Sequence, residues 1–322
     1  MKKERISFLD GMRGLMALNV VICHFVVGYY PQMYYWEDTQ KFGGFLSLFA
    51  TTPLSVLVIG DVAVRYFFVL SSFLIASSVY KNVETKTKEI GSLVLKRYFR
   101  MVVMVGTTVL FTFLLKKNGL LYHFEIAERT LKPDFFNEQI TVNPALRNLP
   151  FYMFIQPFFE KSELVGPFWT IHYELWGAIF SFIIASCLKG KNWKVRATVC
   201  LISGYAIIHF VDVNYFGFIA GILLADLIQN FKKYPVKRIT KFLCWGIGLL
   251  CVTIPMDWSG IYDYLPGRGY FNTTVYRTLG ITICMYCMFF GGGVCAKYWK
   301  AKFYSGWEKF RLLHTACIFR LC

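Results

Sequence analysis

VAVRYFFVLSSFLIASSVYKNVETKTKEIGSLVLKRYFRMVVMVGTTVLFTFLL, residues 62–115, decides the fold class. An apolar block over 62–80 gives way to a connection carrying Lys81, Lys86, Lys88, Lys96, Arg97 and Arg100, and a second apolar block runs over 99–115. Each block approaches the roughly 20 apolar residues that a helix needs to cross a bilayer, and the cations stand between them. A chain written this way is a polytopic helical membrane protein, because only a helix satisfies its own backbone inside lipid.

The same pattern extends in both directions. Spans are expected at 14–31, 62–80, 99–115, 166–188, 197–211, 214–230, 242–256 and 273–296, about eight in an all-α transmembrane bundle. The stretch 42–59 is apolar but punctuated by Gly43, Gly44, Pro53 and Gly60, so it is read as re-entrant or interfacial. Residues 145–159, ALRNLPFYMFIQPFF, are aromatic and flanked by prolines, which suits a membrane interface. No internal repeat or soluble domain is evident, and one membrane domain is expected over residues 1–322.

Net charge is +16, with 35 Lys and Arg against 19 Asp and Glu. On a soluble chain that balance would point to nucleic acid. Here the cations fall in alternate connections: Lys2, Lys3 and Arg5; the 81–100 cluster; Lys189, Lys191, Lys194 and Arg196; Lys232, Lys233, Lys237, Arg238 and Lys241; then Lys297, Lys300 and Lys302. The intervening loops hold Glu37, Asp38, Asp212, Asp257 and Asp263. The charge is therefore a topology signal, with both termini cytoplasmic and the bilayer, rather than nucleic acid, as partner. The first apolar block begins near Gly14 and is too long for a signal-peptide core, so no cleaved leader is expected. Cys284 and Cys287 form a C-x-x-C inside a span with no second pair, which reads as packing, and no metal site is expected.

Ionisable residues inside spans are costly and need a partner or a task. Arg13 and His24 lie eleven residues apart on the first span, about 16 Å along a helix, with His24 some seven residues short of the outer end. Glu174, near the start of the fourth span, is also about seven residues below the outer face, so it shares the depth of His24. A carboxylate beside an imidazole fixes its tautomer and supports it as a general base. His172, two residues away, faces another side of its helix. Asp61 and Arg65 have the i, i+4 spacing of an ion pair, either structural or turned toward a substrate. Arg97 and Arg100 share a helical face at the expected cytoplasmic boundary, as topogenic charge or as a clamp for phosphates. Asp226 is read as structural, near Lys232.

Three stretches, ISFLDGMRGLMALNVVICHF (6–25), VRYFFVLSSFLIASS (64–78) and GPFWTIHYELWG (166–177), with KRYFR (96–100) between the second and third, resemble the membrane acyltransferase family three. Arg13 and His24 meet the arginine, ten residues, histidine spacing of its first helix. Residues 67–73 meet its FFVLSGF motif, except that Ser72 stands where glycine is usual, and Trp169 and Glu174 meet its tryptophan-to-glutamate motif. The family usually has about ten spans and a further motif near its end. Here the spans end at eight before a basic tail, so a truncation or frame-shift near residue 305 is expected.

The resemblance implies an O-acyltransferase of the plasma (inner) membrane with acyl-CoA, first of all acetyl-CoA, as donor substrate and no bound cofactor. The acceptor would be a hydroxyl of a cell-surface saccharide, free or lipid-linked. His24, supported by Glu174, would be the general base and Arg13 would orient the thioester. Arg97 and Arg100 would bind the donor, and Asp61, Arg65, Trp169 and His172 would lie on the acceptor side. A transporter of a small acid or glycan intermediate is the alternative, and an inverted repeat, which the sequence does not show, would favour it.

Overall fold

The computed structural model describes residues 7–35, 44–81, 87–122, 125–126, 146–160, 166–231, 237–255 and 269–290. Lys2, Lys3, Arg5, Glu37, Asp38, Lys232, Lys233, Asp257, Asp263, most of the loop 118–165 and the tail with its expected break near residue 305 lie outside these residues.

All regular structure among the described residues is helical. The helices are α1 (Ser7–Tyr29), α2 (Leu48–Thr51), α3 (Gly60–Lys81), α4 (Thr87–Lys117), α5 (Leu149–Phe154) and α6 (Gln156–Phe159). They continue with α7 (Trp169–Leu188), α8 (Trp193–Phe210), α9 (Phe216–Phe231), α10 (Arg238–Val252) and α11 (Tyr270–Phe290). A helix lies within each of the eight expected spans. Among the described residues, five stretches are long and apolar enough to cross a membrane: Leu9–Tyr29, Gly60–Lys81, Gly91–Lys117, Trp169–Leu188 and Val213–Phe231. Of the apolar stretch 42–59, residues 44–59 are described and hold short turns at Phe45–Ser47, Leu48–Thr51 and Pro53–Leu57, with the Thr52 hydroxyl accepting from the Leu54 N–H. Between α7 and α8 the chain reverses through Gly190, at φ 74°, and the Asn192 side chain caps α8 by accepting from the Lys194 N–H.

The third span departs from expectation. The α4 helix begins at Thr87, twelve residues before the expected start, so KRYFR lies inside the helix and inside its apolar stretch Gly91–Lys117. The reading from sequence ended the span at its cations because bare charge is expensive in lipid. It does not count the protein groups that meet that charge.

The residues divide into two compact units, one of residues 1–24, 32–67 and 227–322, the other of residues 25–31 and 68–226. In the first, α10 and α11 pack through small residues. A Cβ added to Gly248 would stand 2.7 Å from Cys284 Sγ and 3.2 Å from the Gly280 carbonyl oxygen. Ser55 Oγ donates to the Thr253 carbonyl at 2.7 Å, tying the 53–57 turn to the end of α10. Asn19 Nδ2 donates to the carbonyls of Val56 and Leu57, both at 3.0 Å, and fastens the same segment to α1.

In the second unit, α5 and α6 pack on α4 through Met101, Val102, Val105, Val109, Leu149, Tyr152 and Phe158. These α4 residues are central in the helix, so the proline-flanked segment expected at an interface meets the middle of a span-length helix. Its broken backbone is answered by protein: Tyr98 donates to the Phe154 carbonyl at 2.6 Å, and Trp176 Nε1 donates to the Phe158 carbonyl at 3.0 Å. Irregular backbone at such a position is tolerated only where the protein covers it. On the other side of this unit Phe68 stacks on Phe218, with ring centroids 4.8 Å apart.

Candidate active site

In the first unit, α1 is one unbroken helix, so Arg13 and His24 stand on nearly the same face, about 16 Å apart along the axis. Arg13 pairs with Asp10 at 2.9 Å, and both side chains are substantially exposed. His24 is half-buried, and its Nδ1 lies 2.8 Å from the Val20 carbonyl. A carbonyl oxygen can only accept, so Nδ1 donates in this contact, and the preceding turn of the helix orients the ring. His24 belongs to the first unit and Glu174 to the second, and the pairing of the two stays an expectation from sequence.

In the second unit, Glu174, in the second turn of α7, forms an ion pair with Arg97 of α4. Arg97 also donates to Ser71 Oγ at 2.8 Å. Ser71 lies eleven residues after Gly60 and ten before Lys81, at the centre of α3. The Arg97 guanidinium therefore reaches the middle of α3, and its pairing with Glu174 puts the two at one level, where the reading from sequence has Glu174 near the outer face and Arg97 near the inner one. Charge attraction inside the protein brings them together. Arg100, one turn on, is exposed.

His172 Nδ1 donates to the Phe158 carbonyl at 3.1 Å, the carbonyl that also receives Trp176. Trp169 opens α7 and packs its ring edge-on to Tyr173, with centroids 5.8 Å apart. Tyr173 donates to Asp212 Oδ2 at 2.7 Å.

Asp61 and Arg65 form the expected pair, at 2.7 Å, and Arg277 of α11 completes it by donating to Asp61 Oδ2 at 2.9 Å. Arg277 also donates through Nε and NH2 to the Ile254 carbonyl, at 3.1 and 2.6 Å. Arg65 donates to Tyr270 at 2.8 Å. Both guanidinium side chains are fully enclosed. Tyr34, in the turn after α1, lies in the field of this cluster, and burial pushes its phenol well above the usual range.

Asp226 pairs with Arg196, whose guanidinium lies over the Tyr80 ring at 4.9 Å. Arg196, read from sequence as a topology signal, is therefore a partner of Asp226, and the expected Lys232 lies outside the described residues.

The family model of the acyltransferase domain, acyltransferase family 3, matches residues 6–315. No curated protein matches the chain, and no solved structure matches it. The chain belongs to the membrane acyltransferase family three.

Within this acyltransferase, Arg277 and Ser71 join the clusters above without having been singled out from sequence. Arg277 could have been found, because an arginine inside the apolar run 273–296 demands a partner just as Arg65 does. Ser71 could not, since a lone serine in an apolar helix carries no such demand. Ser72, the departure from the usual glycine, is fully buried, and its hydroxyl reaches the carbonyls of Phe68 and Val69, both at 3.1 Å. Gly221 of α9 faces it, and a Cβ there would overlap Ser72 Oγ. The larger residue on α3 fits because the facing helix carries none. Cys284 packs on Gly248, in keeping with a packing role for the C-x-x-C pair.

Proposed function

We propose that this acyltransferase moves an acyl group from a cytoplasmic acyl-CoA to a hydroxyl of a cell-surface saccharide, in the plasma membrane. The observation that supports the reading is the placement of His24: its Nδ1 donates to the Val20 carbonyl, which orients the ring on the α1 face it shares with Arg13. In the reaction the acceptor O–H gives its proton to His24 Nε2 while its oxygen attacks the thioester carbonyl. The tetrahedral adduct then collapses, the C–S bond breaks, and the CoA thiolate takes the proton from the imidazolium. Arg13 orients the donor on the face of α1 that it shares with His24. Arg97, held by Glu174 and Ser71 at the middle of α3, suits the thioester end of the donor better than its phosphates. Arg100, exposed on the same helix, offers a guanidinium to the donor. The acceptor side is assigned to Trp169 and His172. The enclosure of Arg65 and Arg277 favours the structural reading of their cluster with Asp61 over a substrate-facing one.

The test is expression in a host that lacks its own surface-polysaccharide acylation, with base-labile esters measured on the envelope glycans. His24→Ala should lower ester deposition by at least about 100-fold at equal protein level. Esters undiminished in His24→Ala would reject the catalytic assignment and turn attention to transport.

A further inference from the structure

A cavity of about 130 Å³ lies within the first unit, lined by apolar side chains, four of them the methionines Met12, Met16, Met285 and Met288. Its long direction follows from its walls. At one end is Met12, next to Arg13. Met16 follows one turn further along α1, and Val62 of α3 lines it as well. Val62 comes two residues after Gly60, and Gly60 is the residue on which Cys23, the neighbour of His24, is seated. A Cβ added to Gly60 would stand 2.9 Å from Cys23 Cβ. The cavity meets α1 at Met12 and Met16, and Val56, whose carbonyl accepts from Asn19, and Val62 carry its wall on in the direction of His24. It lies on the α1 face of Met12 and Met16, about a quarter turn from the face that carries Arg13 and His24.

We propose that this slot holds the hydrocarbon chain of the donor's acyl group, and that the group transferred is longer than acetyl. The inference rests on the acyl-CoA reading above and adds the chain length. With the thioester carbonyl at the level of His24 and the CoA along the Arg13 face, a chain turned about the helix would run back past Val62 and Met16. An apolar cavity of roughly 150 Å³ accepts benzene, which has six carbons, so this one suits about five carbons beyond the carbonyl, a hexanoyl group. Methionine is suited to such a wall because its unbranched, polarisable side chain adapts to a flexible occupant. Acetyl offers the slot one methyl group and would leave most of it empty.

The experiment is equilibrium binding of acetyl-, butanoyl-, hexanoyl- and octanoyl-CoA to the full chain in lipid nanodiscs. Burial of each added methylene tightens binding by up to about fourfold. Hexanoyl-CoA should therefore bind at least about tenfold tighter than acetyl-CoA, with no further gain for octanoyl-CoA. Leu249 lines the slot from α10 and is itself half-exposed, so its size can be changed without refilling a closed core. Leu249→Trp should cut the hexanoyl advantage below about threefold while acetyl-CoA binding stays within about twofold, and Leu249→Ala should move the optimum to octanoyl-CoA. A folding defect would not shift the two variants in opposite directions. Equal affinity for all four esters would overturn the slot and leave the acyl-CoA reading intact. Affinity that rises through octanoyl-CoA identically in wild type and both variants would mark partition into lipid, and would also overturn the slot. Binding of none of the esters would overturn the acyl-CoA reading and the slot with it.

Discussion

Two of the clusters that join arginine to carboxylate among the described residues are built differently. In the first unit Asp61 sits between Arg65 and Arg277, whose side chains are 0% exposed, and the hydrogen bonds run to Tyr270, Thr274 and the Ile254 carbonyl. In the second unit Arg97 and Glu174 keep 15% and 29% of their side-chain surface. The sealed cluster addresses only the protein. The open pair presents charge to whatever enters beside it, water or substrate. Sequence alone reads both as charge inside a span; enclosure separates a group that holds the fold from one that can meet a ligand.

The largest expected effect tests the sealed side. Arg277→Met leaves Asp61 with half its countercharge and the Ile254 carbonyl without its donors, and breaking a buried pair costs about 3–5 kcal/mol. The variant should accumulate poorly in membranes, and its unfolding midpoint in nanodiscs should fall by many degrees. A midpoint within a few degrees of wild type would show that the cluster does not hold the fold, and the division between sealed and open would lose its basis.

Next in size is the open side. Glu174→Gln keeps the shape and a hydrogen-bond acceptor for Arg97 but removes the negative charge. Ester deposition should fall by at least about tenfold, equivalent to about 1.4 kcal/mol of barrier, while the unfolding midpoint hardly moves. A large drop in midpoint with unchanged specific activity would reclassify this pair as structural.

The contrast also explains what could be read from the sequence. Eight helices were legible because apolar length and basic connections report directly on a lipid environment. The motif residues were legible by resemblance, and Arg13 and His24 do share one face of one helix. The partners of Arg97 were not, because the rule that charges end spans has no knowledge of Glu174 and Ser71, which come from helices distant in sequence. The contact of His24 with the Val20 carbonyl was not legible either, because a backbone carbonyl four residues earlier carries no side-chain signal. Arg277 was within reach of the same argument that selected Arg65, since both are single arginines in apolar runs. For Asp226, the pairing with Arg196 was not legible, because the two are thirty residues apart and only folding brings them together.

The smallest effect concerns Ser72, sealed within the unit that carries the open pair. Restoring the usual glycine removes one buried hydroxyl hydrogen bond, about 1 kcal/mol net, and adds the helix-interior cost of glycine, about 0.5–1 kcal/mol. Ser72→Gly should therefore destabilise by about 1–2 kcal/mol and leave specific activity unchanged, because Ser72 touches only backbone carbonyls of its own helix and of Gly217. Gly221→Ala meets the same contact from the other side and should cost more, since its Cβ would overlap both Ser72 Oγ and the Val69 carbonyl. Only the first of those overlaps disappears when residue 72 is glycine. The double variant should recover part of the Gly221→Ala loss, with a coupling of about 0.5 kcal/mol or more in a cycle of unfolding free energies. Strict additivity would mean that the Val69 backbone alone sets the spacing of α3 and α9, and that the serine at 72 is incidental to it.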